Sequence, residues 1–236
     1  MLLAAGLGTR LRPLTNRIPK ALVEIDGVPI LEIVARRLIA AGADRLIINT
    51  HHLGEQIEQF VADRNSFGIE VAFSPEPDQP LETGGGLLAA AHLLRRSEPF
   101  FLHNTDILTD FPLNDMRHRH LAASPLATLA VMERVTSRYL LFDDEGLLGR
   151  TDERKGLDIR ARDAIGEVRK LAFGGVHIIS SEFLDAMTER GAFSILDPYL
   201  RLAGEGARIL PYRIDDYRWR DIGKPEQLEA AQGWRG

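Results

Sequence analysis

Leu2-Leu3-Ala4-Ala5-Gly6-Leu7-Gly8-Thr9-Arg10 decides how the rest of the chain is read. Leu2–Ala5 is a short apolar run, and a glycine turn follows at once. That pattern predicts a brief buried strand running into a loop. In an open α/β sheet, ligands sit beyond the carboxyl ends of the strands, so this loop is where a ligand belongs. Glycines there let the backbone approach a bulky anion, and successive N–H groups can cradle phosphate oxygens. Taken alone, Gly-x-Gly is equally an ordinary turn. It is not a dinucleotide fingerprint, because position 11 is Leu11 rather than glycine. It is not a P-loop either, because no Gly-Lys-Ser/Thr follows.

Outward from this loop, helix-like and strand-like segments alternate. Pro29–Ala41 carries Ile30, Val34 and Leu38 at spacing four, which predicts an amphipathic helix, with Gly42 as its stop. Strand Arg45–Thr50, helix Leu53–Arg64, strand Ile69–Ser74, helix Thr83–Arg95 and strand Pro99–His103 follow. The rhythm predicts an α/β fold: a Rossmann-like, mixed but mainly parallel sheet with helices on both faces. The second half is less regular. Strands are expected at Thr128–Met132, Tyr139–Phe142 and Ala172–Ile179, and helices near Ser181–Glu189 and Pro225–Gln232. The charged, glycine-containing stretch Asp143–Val168 reads as hairpins or a mobile excursion. No linker or repeat divides residues 1–236, so one domain is the expectation.

The glycine loop is followed by Arg10, Arg12, Pro13 and then Pro19-Lys20. A guanidinium offers a planar fork to polyphosphate, and an ammonium offers a compact charge. The prolines stiffen the segment that carries both. The run Leu3-Ala4-Ala5-Gly6-x-Gly8-Thr9-Arg10-Leu11-x-Pro13-Leu14-Thr15, then Pro19-Lys20-Ala21-Leu22, resembles the signature of the sugar-1-phosphate nucleotidylyltransferases. The resemblance implies the nucleotide-diphospho-sugar transferase fold and transfer of a nucleoside monophosphate from an NTP, UTP or GTP, to a sugar 1-phosphate. It implies that Leu3, Ala4, Ala5 and Gly6 line the nucleoside, that Gly8, Thr9 and Arg10 hold the triphosphate, and that Lys20 contacts the phosphates at the reacting centre. Arg10 and Lys20 are then the catalytic cations.

Asp106, at the end of the fourth strand-like segment, and Asp221, in Trp219-Arg220-Asp221-Ile222-Gly223, stand where that family carries metal-binding aspartates. Each alone is also a common turn residue. Mg²⁺, the implied cofactor, is bound by one or two carboxylates together with phosphate oxygens. Asp110, Asp215 and Asp216 are expected at the surface or in turns. Glu76 and Pro80-Leu81-Glu82-Thr83-Gly84-Gly85-Gly86 resemble the family loop facing base and ribose, with Glu76, Thr83, Gly84 and Gly85 as nucleotide contacts. Thr83 also suits a helix N-cap.

Toward the sugar, Asn104, Gly174 and Gly175 are the candidates, although Asn104 also suits a turn. Tyr139-Leu140 stands where many hexose enzymes carry Tyr-Gly, and Glu167-Val168-Arg169-Lys170 replaces a Glu-Lys-Pro. Leu81-Glu82-Thr83-Gly84-Gly85-Gly86 and the Asn104-x-Asp106 pair are similar to N-acetylmuramate-1-phosphate uridylyltransferases. Guanylyltransferases of mannose or heptose 1-phosphate share much of the pattern. A non-catalytic nucleotide-sugar sensor is a further option, disfavoured because Lys20, Asp106 and Asp221 are all present.

The remaining composition excludes more than it specifies. Lys and Arg number 29 against 34 acids, a net charge of −5, without a long basic run. Nucleic acid is therefore not an expected partner. There is no cysteine, which excludes disulfides and thiolate metal sites and suits a reducing cytoplasm. No run of about 18 apolar residues predicts a membrane span. The abrupt start suggests that upstream residues are missing. His51, His52, His118 and His120 lack metal-ligand spacing and are expected at the surface or in caps. Trp219 is expected to pack beneath the metal loop, and Leu87, Ala91 and Leu94 to be core. A homodimer is left open by the sequence.

Overall fold

A computed structural model describes residues 1–94 and 99–234. Strand β1 (Leu2–Leu3) leads through three 3₁₀ turns to the small hairpin β2 (Glu24–Ile25) and β3 (Val28–Pro29). Helix α1 (Ile30–Ala40) buries Ile30, Leu31, Val34, Ala35 and Leu38, the stripe its sequence spacing dictates. It closes with a Schellman pair, Gly42 N–H to Ile39 C=O and Ala43 N–H to Leu38 C=O. Strand β4 (Arg45–Thr50), helix α2 (Gly54–Asp63) and strand β5 (Glu70–Pro75) follow. Helices α3 (Glu82–Ala89) and α4 (Ala91–Leu94) replace the single helix expected over Thr83–Arg95. Arg95 lies outside the described residues.

Strand β6 (Phe100–Asn104) gives way to the short β7 (Ile107–Thr109) and helix α5 (Leu113–Ala123). Next come β8 (Ala127–Met132), β9 (Arg138–Asp143), β10 (Gly146–Asp152), β11 (Leu157–Arg160) and the long β12 (Arg169–Ile179). Helices α6 (Glu182–Ala186) and α7 (Leu196–Gly204), strands β13 (Ile209–Arg213) and β14 (Trp219–Asp221) and helix α8 (Pro225–Glu229) complete the chain. Helix α6 stops at Ala186, short of the expected Glu189, because Met187 is already extended.

The strands β5-β4-β1-β6 are mutually parallel, in the 3-2-1-4 order of a doubly wound sheet. Antiparallel β12 then adds to β6, β8 to β12, and β13 runs parallel to β8. The order reverses at β1, so a crevice opens beyond the carboxyl ends of β1 and β6. Alternation along the strands feeds two cores. Leu2, Leu46, Ile48 and Ile178 face α1 and α2, whereas Ile47, Leu102, Leu129 and Ile179 face α3, α4 and α7.

The stretch Asp143–Val168 is a pair of hairpins, β9–β10 and β10–β11. Its anchor is the buried Asp143. Its carboxylate accepts two guanidinium N–H groups of Arg162 at 2.6 Å, the N–H of Ile165 at 2.7 Å and that of Glu145 at 3.0 Å. The Arg162 bonds hold this carboxyl well below the usual carboxylate range.

Candidate functional site

The loops after β1, β4 and β5 are tied together by two buried side chains. Asn49 Oδ1 accepts the N–H groups of Ala4, at 2.6 Å, and Ala5, at 3.3 Å. Its Nδ2 donates to Glu76 Oε1 at 2.7 Å, and Glu76 Oε2 accepts Leu81 N–H at 2.7 Å. Both residues are 2% exposed. Both carboxylate oxygens of Glu76 are therefore committed to the protein, and the residue shapes the loop it lines. Asn49 carries no motif of its own, and only its position at a strand end points to it.

In the glycine turn, Gly8 adopts φ +61° and its carbonyl accepts Thr15 Oγ1–H at 2.8 Å and Leu11 N–H at 2.9 Å. A Cβ here would lie 2.8 Å from Thr15 Cγ2, so both the backbone angle and the space demand glycine. The N–H groups of Gly6, Leu7 and Gly8 have no acceptor among the described residues. Thr9 and Arg10 are exposed. This leaves an open set of donors beside a cation, the arrangement that suits a polyphosphate.

Lys20, at the head of a 3₁₀ turn, forms an ion pair with Asp106 Oδ2. Asp221 reaches the same place from 115 residues further along the chain (221 against 106). The ladder of β7 and β14 sets Asp221 opposite Ile107, and Ile222 N–H donates to the Asp106 carbonyl at 3.0 Å. Asp221 Oδ1 accepts Gly223 N–H at 2.8 Å. A Cβ on Gly223 would meet Arg10 Nη2 at 2.6 Å and Asp221 Oδ1 at 2.9 Å, so the Arg10 guanidinium lies against the Asp221 loop. Each aspartate thus has a cation from the N-terminal loop beside it. Asp106 Oδ1 and Asp221 Oδ2 carry no hydrogen bond among the described residues. Two hard carboxylate oxygens, one from the turn before β7 and one from β14, are of the kind that suits a Mg²⁺ ion taking its other ligands from phosphate and water. Among the described residues no cluster of three or more acidic, His or Cys side chains forms a closed cage, and Mg²⁺ does not require one.

A cavity of about 400 Å³ lies over Lys20 and Asp106, while Gly8, Thr9, Arg10, Gly174, Gly175 and Asp221 are not among its lining residues. Of the candidates, Leu3, Ala4, Ala5, Gly6, Lys20, Glu76, Thr83, Asn104 and Asp106 line it, with Asn49, Pro80, Glu82, Thr105 and Ser194. Gly84 and Gly85 do not. Their N–H groups both donate to Phe193 C=O, at 2.9 and 3.3 Å, and a Cβ on either would clash with the 191–195 segment. Their smallness serves helix packing. Thr83 is not the helix cap: Leu81 occupies the N-cap without a side-chain bond, and Thr83 Oγ1 accepts Ile195 N–H at 2.9 Å.

Gly175, at φ +79°, lies where a Cβ would be 2.5 Å from Ile107 Cγ1 and 3.3 Å from Asn104 Nδ2. It thereby brings β12 against the Asn104–Asp106 corner. Gly174 C=O accepts the Trp219 indole N–H at 2.9 Å, so Trp219 braces β14 against β12. The guanidinium of Arg134 stands 4.5 Å over the Trp219 ring. Burial lowers the Arg134 pKa, and the charge of Asp221 opposes that shift. Neither Arg134 nor the segment around it belongs to any motif read from the sequence.

Asp110 is more than a turn residue. Its carboxylate accepts Arg218 N–H at 2.8 Å and Arg218 Nε–H at 2.6 Å, clamping the start of β14. Asp215 accepts Glu133 N–H at 2.6 Å, and Asp216 is exposed. His120 is 2% exposed rather than superficial, bridging Thr128 Oγ1 at 2.8 Å and Ser180 Oγ at 3.2 Å. The apolar stripe of α5 turns it inward, and burial lowers its pKa to about 4. His51 Nδ1–H donates to Glu76 C=O at 2.5 Å, while His52 and His118 are exposed. Leu87, Ala91 and Leu94 are core.

A glycine turn with unpaired backbone donors, a crevice at the switch of strand order and two aspartates on adjoining segments of the β7–β14 ladder make up the candidate site. The chain belongs to the nucleotidyl transferase family, whose model matches residues 1–143. It is 34% identical to the N-acetylmuramate alpha-1-phosphate uridylyltransferase of Caulobacter vibrioides, over 98% of this chain and 94% of that protein. It is also 34% identical to the enzyme of the same name from Neisseria meningitidis serogroup B, over 100% and 97%. A putative glucose-1-phosphate thymidylyltransferase from Bacillus anthracis superposes with a TM-score of 0.81 at 15% identity, covering 98% of this chain and 92% of that one. That likeness concerns the fold, a mixed, mainly parallel sheet with helices. No helix among the described residues is long and apolar enough to cross a membrane.

Proposed function

We propose that this protein transfers a uridylyl group from UTP to N-acetylmuramate 1-phosphate, releasing pyrophosphate, with Mg²⁺ as cofactor and in the cytoplasm where NTPs are made. The observation that carries the reading is the meeting of Lys20 and Asp106, from the β1 and β6 loops, with Asp221, carried in by β14. The two relatives at 34% identity over nearly their full lengths direct it to this donor and acceptor.

The chemistry is an in-line displacement. A phosphate oxygen of the sugar 1-phosphate attacks the α-phosphorus of UTP, and the bond to the pyrophosphate oxygen breaks. No covalent intermediate with the protein is needed. Leu3–Gly6 and the 76–83 loop line the nucleoside, and the free N–H groups of Gly6–Gly8 hold phosphate oxygens. Lys20 and Arg10 offset the charge that grows on the triphosphate, and fixed cations in a preorganised site are the main lever in such transfers. Asp106 and Asp221 would hold the Mg²⁺, which when bound neutralises phosphate charge and orients the phosphates. Asn104 lines the cavity on the sugar side, with Gly174-Gly175 of β12 packed against it.

The test is pyrophosphate release from each of four NTPs against N-acetylmuramate, mannose, heptose and glucose 1-phosphates. The highest kcat/KM is expected with UTP and N-acetylmuramate 1-phosphate. A preference for GTP with mannose or heptose 1-phosphate replaces the reading, and no turnover with any pair overturns catalysis.

A further inference from the structure

N-acetylmuramate differs from N-acetylglucosamine by one group, a lactyl ether ending in a carboxylate. An enzyme that selects it needs a fixed cation on the sugar side, placed away from the reacting phosphates. We propose that Arg134, stacked on Trp219 and flanked by Arg138, forms a subsite for a carboxylate carried by the sugar. This inference rests on the reading above.

The placement follows from the strand. Trp219 and Asp221 are two residues apart on β14, so their side chains share one face, roughly 7 Å apart along the strand. Asp221 marks the phosphate end. Arg134 stands 4.5 Å over the ring of Trp219, two positions before Asp221 on the same strand. The indole is itself fixed by its bond to Gly174 C=O at 2.9 Å, on the stretch of β12 that meets Asn104.

The loop that carries Arg134 is pinned at both ends. Glu133 N–H is held by Asp215 Oδ1 at 2.6 Å, and Glu133 Oε1 accepts Arg213 Nη2–H at 2.8 Å. Thr136 N–H is held by the Tyr139 hydroxyl at 3.1 Å, and Arg138 N–H by Thr136 Oγ1 at 3.3 Å. Arg134 therefore keeps its position without an acidic partner. It makes no ion pair or hydrogen bond among the described residues, although many of the chain's other arginines do. Asp221 is near enough to act on its charge but not to pair with it. A planar guanidinium anchored on an aromatic face, with its N–H fork unused, is a ready carboxylate receptor. Arg138 is close enough to act on Arg134 and adds a second positive charge there.

The test compares N-acetylmuramate 1-phosphate with N-acetylglucosamine 1-phosphate, each with UTP, by the ratio of kcat/KM. In Arg134→Gln, which keeps a stem to pack on Trp219, the ratio should fall on the order of 10- to 100-fold, the range for one lost charge-assisted pair. The loss should appear mainly in KM, and Arg134→Lys should restore part of the ratio. Tryptophan fluorescence and the urea midpoint check that each variant is folded. If both substrates lose activity in the same proportion, Arg134 acts on the shared phosphate or through Asp221, and the subsite is refuted. If the ratio is unchanged, it is refuted as well. Failure of the parent reading is visible earlier, because the unmodified protein would then not turn over N-acetylmuramate 1-phosphate.

Discussion

In the half of the sheet built from β1, β4, β5 and β6, the site is made of chain that directly follows strands. The Gly6–Arg10 turn leaves β1, Asn49 stands next to last in β4, Glu76 follows β5 and Asp106 follows β6. In the half built from β7 to β14, the site is made of strands brought in from far away. Asp221 is registered against Ile107 by β14, Gly175 meets Asn104 from within β12, and Arg134 reaches Trp219 across a loop. The first arrangement offers backbone donors and fixed cations, which suit the nucleoside triphosphate of the proposed reaction. The second adjusts by moving a loop or a turn without disturbing the first. On the proposed reading, sugar choice falls mainly to the second half, while the transfer itself draws on both, because Asp221 comes from the second half and Lys20 and Asp106 from the first.

The sharpest way to break this division is Lys20→Ala. It removes the cation paired with Asp106, and it should lower kcat on the order of 10²- to 10³-fold for every sugar alike, the usual loss for one preorganised charge at a reacting centre. Steady-state pyrophosphate release measures it. A loss confined to one sugar would place Lys20 in the wrong half. Next in size is Asn49→Ala. The Ala4 N–H and one Glu76 oxygen lose their buried partner. An expected destabilisation of about 2–3 kcal/mol corresponds to a fall in Tm of roughly 5–10 °C for a chain of this size. An unchanged melting curve would show that the loops of the nucleotide half stand without their shared tie.

How much of this was legible follows the same division. Gly6 and Gly8 can be read as a glycine turn directly after a strand, whereas Lys20 and Asp106 are pointed to by the family resemblance, since no local spacing ties either to that turn. Gly84 and Gly85 have a packing reason of their own. Glycine at a helix start signals close backbone approach, but here the approaching group is the 191–195 segment rather than a ligand. Strands β7 and β14 have three residues each, too short for any periodicity to show. The ladder that sets Asp221 beside Asp106 was therefore invisible, although both residues were named. Arg134 lay outside every motif because its role depends on Trp219, 85 positions away (219 against 134).

Acid probes the second half. Among the described residues His103, His120 and His177 are buried, and two of them, His120 and His177, belong to α5 and β12. Burial lowers His177 to about 3 and His120 to about 4, from an ordinary value near 6.5. Their neutral forms are favoured in the fold, whereas the unfolded chain takes up protons below pH 6.5. Stability is therefore full above about pH 6.5 and falls as pH drops toward 4, by about 1–2 kcal/mol for each imidazole at pH 5. Urea midpoints at pH 7 and pH 5 measure the slope, and His120→Gln should flatten it. A slope that His120→Gln leaves intact would assign the acid sensitivity elsewhere.

The finest test concerns Asp110, which sits at the seam. It holds Arg218 by two bonds, at 2.8 and 2.6 Å, and so fixes where β14 begins. The Arg218 bonds, opposed by burial, keep its carboxyl below the usual range, and Arg37 adds to their effect. Two residues separate Arg218 from Asp221, so a loosened clamp shifts the Asp221 carboxylate without altering its chemistry. Asp110→Asn should raise the Mg²⁺ concentration for half-maximal turnover by roughly 3- to 10-fold, about 1 kcal/mol of lost positioning. The kcat at saturating Mg²⁺ should stay nearly unchanged, as should the ratio between sugars. If kcat falls while the Mg²⁺ requirement does not move, β14 is held by its ladder to β7 alone and Asp110 merely decorates it. If the sugar ratio moves instead, the clamp acts through Trp219 on the Arg134 subsite, and the seam between the two halves runs on the other side of β14.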